Sequence, residues 1–152
     1  MKILDVLNKE AILENLESTD KKGVLEELLA PVAKVAGVGV DGLIRVLLDR
    51  ERLGSTGIGG GVGIPHGKLK NLENIVLGFG LSRKGVNFES MDGKPTHIFF
   101  LLVTPENSTG LHLKMLARIS RLLKDESFKE QLLNASDRDD IYNIIQQEDE
   151  EF

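Results

Sequence analysis

The run Ile98-Phe99-Phe100-Leu101-Leu102-Val103 is apolar at every position, and no other stretch restricts the fold as tightly. Successive side chains of a β-strand leave on opposite faces, so a strand with no polar face has to be covered on both. The prediction is a central strand over His97 to Val103 with elements packed above and below it. Helices to cover it are written on either side. Between Asp20 and Ala36 the positions Val24, Leu25, Leu28, Leu29, Val32 and Val35 recur at helical spacing behind Asp20 as N-cap, with a break or kink expected at Pro31. A second helix is predicted from Asp41 as cap, through Leu43, Ile44, Val46, Leu47 and Leu48, to Leu53, where Gly54 stops it.

Shorter strands are expected at Val62 to Ile64 and Ile75 to Leu81, with Val86 and Phe88 on an edge strand before the Asp92-Gly93 turn. Beyond Gly110 the pattern turns helical again on Leu111, Met115, Ile119 and Leu122, with His112 in the first turn. Two short helices, Ser127 to Leu133 and Asp137 to Ile145, complete the chain, the second capped by Ser136-Asp137. The acidic end Glu148-Asp149-Glu150-Glu151 is expected to fray. Helices before and after a block of strands argue for one sheet covered by helices, an α/β or α+β sandwich. The expected organisation is a single domain over residues 1–147 and an acidic tail over 148–152.

At 152 residues the chain can hide roughly two thirds of its unfolded surface in one core, so no covalent staple is required. There is no cysteine, which removes disulfides and thiolate chemistry and suits a reducing compartment, so a cytoplasmic location is expected. Charges interrupt the N-terminal segment and no apolar run has the length of a bilayer span, so no signal segment or membrane insertion is expected. Nineteen basic residues stand among twenty-four acidic ones without a basic stripe, which disfavours nucleic acid.

Chemistry is concentrated in Gly54-Ser55-Thr56-Gly57-Ile58-Gly59-Gly60-Gly61-Val62-Gly63-Ile64-Pro65-His66-Gly67-Lys68. Glycines allow backbone N–H groups to converge on an anion, and Pro65 fixes the backbone just before the imidazole. The spacing fits neither a dinucleotide fingerprint nor a Walker A loop, because Val62 and Ile64 fall where glycines are needed. The three histidines His66, His97 and His112 lie far apart without metal-ligand spacing, and no serine elbow occurs. What remains is an imidazole acting as nucleophile in its own right. A neutral ring held in one tautomer offers one lone pair, and phosphoryl transfer asks mainly for positioning and for charge stabilisation by N–H groups and a cation. Arg50, His112 or Lys68 would supply the cation.

Leu48-Asp49-Arg50-Glu51-Arg52-Leu53-Gly54-Ser55-Thr56-Gly57-Ile58-Gly59, followed by Ile64-Pro65-His66-Gly67-Lys68-Leu69, resembles the signature of the type-2 enzyme IIA domain of the bacterial phosphoenolpyruvate-dependent phosphotransferase system, the fructose, mannitol and nitrogen-regulatory class. The segment from Phe99 through Pro105-Glu106 to His112 and Ile119 resembles that family's central strand and following helix. The resemblance implies a mixed sheet flanked by helices. It implies phosphorylation of His66, with His112 as the second active-site histidine and Arg50 beside them. Ser55, Thr56, Gly61 and Gly67 are candidate phosphate contacts. Implied partners are the phosphocarrier HPr or a nitrogen-system counterpart as donor, and an enzyme IIB or a regulated protein as recipient; no cofactor or metal is implied. The wording of Leu53 to His66 and the lack of a fused transporter in the chain point to the nitrogen-regulatory branch.

Two departures accompany the match. Gly60 stands where members often carry Asn or Glu, and Gly63 where Ala is frequent, which implies a missing side-chain contact and a looser loop. Gly60 also supports a second reading, a non-catalytic interaction module with the same fold. His97 is read as a strand-start residue without chemistry. Ile58, Val62, Leu69 and Leu111 are expected to form an apolar collar for a carrier protein.

Overall fold

The computed structural model describes residues 1–151. In chain order the elements are a 3-10 turn Ile3–Asp5, β1 Leu7–Leu13, α1 Lys21–Ala36, α2 Val40–Arg52, β2 Gly57–Gly59, β3 Val62–Gly63, β4 His66–Leu69, β5 Val76–Val86, β6 Thr96–Pro105, α3 Thr109–Leu122, α4 Glu126–Leu133 and α5 Arg138–Glu151. They form a mixed sheet in the order β1-β5-β6-β3-β2, with β4 also paired to β6. The apolar run is central, as its two apolar faces require. β6 is antiparallel to β5 on one side and parallel to β3 and β4 on the other.

Alternate residues of β6 serve two separate cores. Ile98, Phe100 and Leu102 join Leu77, Phe79 and Leu81 of β5 beneath Met115, Ile119, Phe128, Ile141 and Ile145 of α3, α4 and α5. Phe99, Leu101 and Val103 face the other way, into Leu25, Leu28, Leu29 and Val32 of α1 and Leu43 and Leu47 of α2. On that face β5 carries Gly78 and Gly80, and a Cβ there would meet Val32 and Leu28 at 2.5 Å, so these glycines let α1 close onto the sheet.

Several boundaries differ from expectation, each for a local reason. Pro31 does not break α1, which is held to the sheet on both sides of it by Leu28, Leu29, Val32 and Ala33. α2 begins behind Gly39, which leaves Asp41 in the first turn, and α4 is capped by Asp125, whose carboxylate accepts from Ser127 and Phe128 N–H. β5 extends to Val86, with a register shift between Leu81 and Val86. β1 was not anticipated: only Leu7, Ala11 and Ile12 of its sequence are buried, and a register irregularity between Leu7 and Ile12 disrupts the alternation that would announce a strand. The acidic end does not fray either. α5 continues through Glu151 because Asp149 is fully buried, pairing with Arg118 of α3 at 2.8 Å and accepting from the Leu4 N–H at 3.2 Å. Phe152, the end of the predicted tail, lies outside the described residues. Among the described residues no helix is long and apolar enough to cross a membrane.

Candidate functional site

β3 and β4 run beside β6 as one interrupted strand, and the site is built on the interruption. Val62 lies opposite Ile98 and His66 opposite Leu102, with Ile64-Pro65 between the two pieces. The Leu102 N–H is satisfied by the Pro65 carbonyl at 3.0 Å, while the Ile64 N–H turns to the Thr56 carbonyl at 3.0 Å. The Ile64 carbonyl then faces the His66 ring, 2.7 Å from Nδ1. A carbonyl can only accept, so Nδ1 carries the hydrogen and Nε2 carries the lone pair. Arg50, in the last turn of α2, donates its Nε–H to that Nε2 at 3.3 Å and an Nη1–H to the Gly54 carbonyl at 2.9 Å.

His112 enters from the first turn of α3, its ring centroid 5.3 Å from that of His66 and inclined at 64°. It is buried, with Nδ1 2.6 Å from the Thr104 hydroxyl at the end of β6. Burial, the His66 ring and the Lys68 charge push its pKa down to about 4. His66 is also held below the ordinary imidazole value, chiefly by burial and further by Arg50, against the opposing pull of the Ile64 carbonyl and Glu51. Both rings are therefore neutral near pH 7.

The three side chains His66, His112 and Arg50 come together; the glycine-segment residues do not join them as phosphate donors. Ser55 donates its hydroxyl to the Phe88 carbonyl at 2.8 Å and accepts from Gly57 N–H at 3.1 Å. Thr56 gives its N–H to Glu51 at 3.0 Å and its hydroxyl to the other oxygen of the same carboxylate. Gly61 lies level with His97, whose N–H takes its carbonyl, whereas His66 is level with Leu102. That separation of five strand positions is about 16 Å at the rise of a β-strand. Gly67 sits in the β4–β6 ladder, where a Cβ would meet Val46 at 2.5 Å, so its glycine serves the packing of α2.

The glycine run is thus a hairpin rather than a cradle of converging N–H groups. β2 pairs with β3 around a turn in which Gly59, Gly60 and Gly61 all have positive φ. Gly60 donates its N–H to Asp92 and accepts at its carbonyl from Lys129, at the end of the sheet away from His66. The departure at this position leaves the histidine pair untouched. Lys68 donates to the Thr109 hydroxyl at 2.9 Å at the start of α3. His97 donates Nδ1–H to the Ser82 carbonyl at 2.8 Å and has no part in the site.

Of the expected collar, Val62 is buried and Leu69 and Leu111 pack partly into the cores; Ile58 is exposed. Leu53 and Leu113, which follow the Arg50 turn and His112, are 85% and 60% exposed. Two supporting residues were missed by sequence reasoning. Glu51 is buried and accepts from Lys21 of α1 at 3.0 Å as well as from Thr56. Its signal was available, because Leu43, Leu47 and Glu51 at four-residue spacing put a carboxylate on the apolar stripe of α2. Thr104 had no such signal, since its partner lies on another element.

The family model described as "Phosphoenolpyruvate-dependent sugar phosphotransferase system, EIIA 2" matches residues 5–148. The chain belongs to this family. Among curated relatives of this enzyme IIA family, a nitrogen regulatory protein from Bradyrhizobium diazoefficiens is 44% identical over 95% of this chain and 95% of its own length. The fructose-specific EIIABC component of Bacillus subtilis is 39% identical over 98% of this chain, which spans 24% of that longer protein. The crystal structure of nitrogen regulatory protein IIA-Ntr from Neisseria meningitidis superposes with a TM-score of 0.87 at 32% identity, covering 93% of this chain and 97% of that one. The mixed sheet with helices on both faces is the fold shared with these enzyme IIA structures.

Proposed function

We propose that the protein is a phosphoryl carrier that accepts a phosphoryl group on Nε2 of His66. The observation that carries this reading is the orientation of one ring: Nδ1–H is committed to the Ile64 carbonyl, and the remaining lone pair points at Arg50. In the transfer step the Nε2 lone pair attacks phosphorus and the N–P bond forms as the donor's bond to phosphorus breaks, its electron pair staying with the donor. The His66 ring takes on positive character, which the Ile64 carbonyl stabilises through Nδ1–H, so no proton has to leave the ring. Arg50 exchanges its contact with Nε2 for the phosphoryl oxygens, and His112 borders the same space. Resting contact with the guanidinium keeps the lone pair oriented before the donor arrives.

The donor is HPr or a nitrogen-system counterpart, and the recipient an enzyme IIB or a regulated protein that reads the added charge. Nitrogen regulatory proteins among the relatives support the regulatory branch. Exposed Leu53 and Leu113 flank the site and suit a small transient interface. Leu53→Asp and Leu113→Asp should slow transfer at least about tenfold by desolvation of the new charge while leaving thermal unfolding unchanged; unaltered transfer would remove this docking surface. The carrier reading is tested by incubation with phosphoenolpyruvate, enzyme I and HPr. An acid-labile mass gain is expected in the wild type and not in His66→Ala, and a gain that persists in His66→Ala would assign the acceptor elsewhere.

A further inference from the structure

We infer that Thr104 is a positioning residue: its buried hydroxyl donates to Nδ1 of His112 and holds that imidazole as the Nε2–H tautomer, a donor toward the phosphoryl group on His66. The inference rests on the reading of His66 as phosphoryl acceptor. Thr104 closes the apolar run of β6 and lies opposite Lys68 in the β4–β6 ladder. It is fully buried, with its Oγ1 2.6 Å from His112 Nδ1. Either atom can be the donor in such a pair, and the surroundings decide which.

If Nδ1–H donated, the Thr104 hydroxyl would still hold a hydrogen at a fully buried position. Among the described residues the only hydrogen-bond partner recorded for that oxygen is the ring nitrogen. A buried donor left without an acceptor is costly, so the arrangement that satisfies both groups sends the hydroxyl hydrogen to Nδ1. A neutral ring has one N–H, which then sits on Nε2. His112 is kept neutral at pH 7 by burial and by the His66 ring and Lys68 beside it.

The two histidines are therefore opposite tautomers. His66 keeps its hydrogen on Nδ1 and offers Nε2 as nucleophile; His112 keeps its hydrogen on Nε2 and offers it as donor. Arg50 supplies a charged donor and His112 a neutral one, so the phosphoryl group is oriented without being trapped between two cations.

Ring nitrogen spectra of the unphosphorylated, isotope-labelled protein read both tautomers directly. The expected result is a protonated Nδ1 for His66 and a protonated Nε2 with an unprotonated, hydrogen-bonded Nδ1 for His112. A His112 ring protonated on Nδ1 overturns the inference, and this measurement needs no variant. Thr104→Val removes the hydroxyl while keeping the side chain's shape. It should abolish the single-tautomer signature of His112 and slow phosphoryl transfer about tenfold, the worth of one lost hydrogen bond, and Thr104→Ser should restore both. An unchanged His112 tautomer and transfer rate in Thr104→Val overturns the inference as well. A wild-type protein that gains no phosphoryl group from phosphoenolpyruvate, enzyme I and HPr defeats the carrier reading instead, and the tautomer assignment still decides the role of Thr104.

Discussion

A ring that accepts a phosphoryl group through a lone pair stops doing so when that lone pair takes a proton. Burial and Arg50 hold the pKa of His66 below the ordinary imidazole value, so its neutral form persists into mildly acid solution. Transfer should be flat across neutral pH and fall only below about pH 6.5, the unperturbed imidazole value. Arg50→Ala removes one of the influences that lower this pKa. Its acid limb should move toward neutral pH, and its plateau should drop about 100-fold with the loss of a charged donor. A pH–rate profile on both proteins checks the two effects together, and a limb that moved to lower pH in the variant would contradict the assignment. At this scale the sequence was informative about His66, His112 and Arg50, whose types suit the chemistry and which do converge. It did not show the structural work of Ser55, Thr56, Gly61 and Gly67. These share the motif with His66 but hold the hairpin, the loop and the helix packing, roles that spacing alone does not separate from phosphate contact.

Element-level reading succeeded where one face repeats and failed where charge or interruption hides the repeat. The amphipathic stripes of α1, α2 and α3, the unbroken run of β6 and the short β3 were all legible, whereas the charged β1 and the continuation of β3 as β4 beyond Pro65 were not. The interruption between β3 and β4 matters most, because it frees the Ile64 carbonyl for His66. What holds it in place begins on α2. Glu51 takes the N–H and hydroxyl of Thr56 and the ammonium of Lys21, and the Thr56 carbonyl in turn takes the Ile64 N–H. Glu51→Ala leaves all these donors without their buried acceptor, so a loss of about 3 kcal/mol is expected in denaturant unfolding. Glu51→Gln, which keeps two polar atoms near Thr56, should lose less. At temperatures where Glu51→Ala stays folded, the His66 ring should show a mixture of tautomers; a ring still fixed as Nδ1–H would mean that the Ile64 peptide is positioned without Glu51.

Across the whole molecule, α5 ties the two ends of the chain to the helix that carries His112. Asp149 binds Arg118 of α3 and the Leu4 N–H, so ending the chain after residue 147 should destabilise the protein even though it removes only acidic residues and Phe152. Next to Asp149, Glu148 is pushed up to about 7 by burial, by a hydrogen bond to the Asp125 carboxylate and by its charge. Protonated Glu148 can donate to Asp125, the cap of α4; once ionised it repels it. Through Glu148 the folded state thus binds more protons than the unfolded state between the ordinary glutamate pKa and about pH 7, so the contribution of Glu148 is present at acid pH and lost as pH rises through that value. His112 works in the opposite direction. Unfolded, its imidazole protonates below about pH 6.5, whereas folded it stays neutral down to about 4, so its contribution is lost as pH falls. The first linkage offsets part of the second over the mildly acid range, where His66, also held below the ordinary imidazole value, acts in the same direction as His112. Glu148→Gln removes the first and leaves the second, so its melting temperature should fall more steeply than that of the wild type as pH drops from 6.5 toward 5. His112→Gln should show the reverse, gaining relative stability on acidification. Melting curves of the three proteins at matched ionic strength decide the matter, because parallel pH profiles would mean that neither group titrates differently in the folded chain.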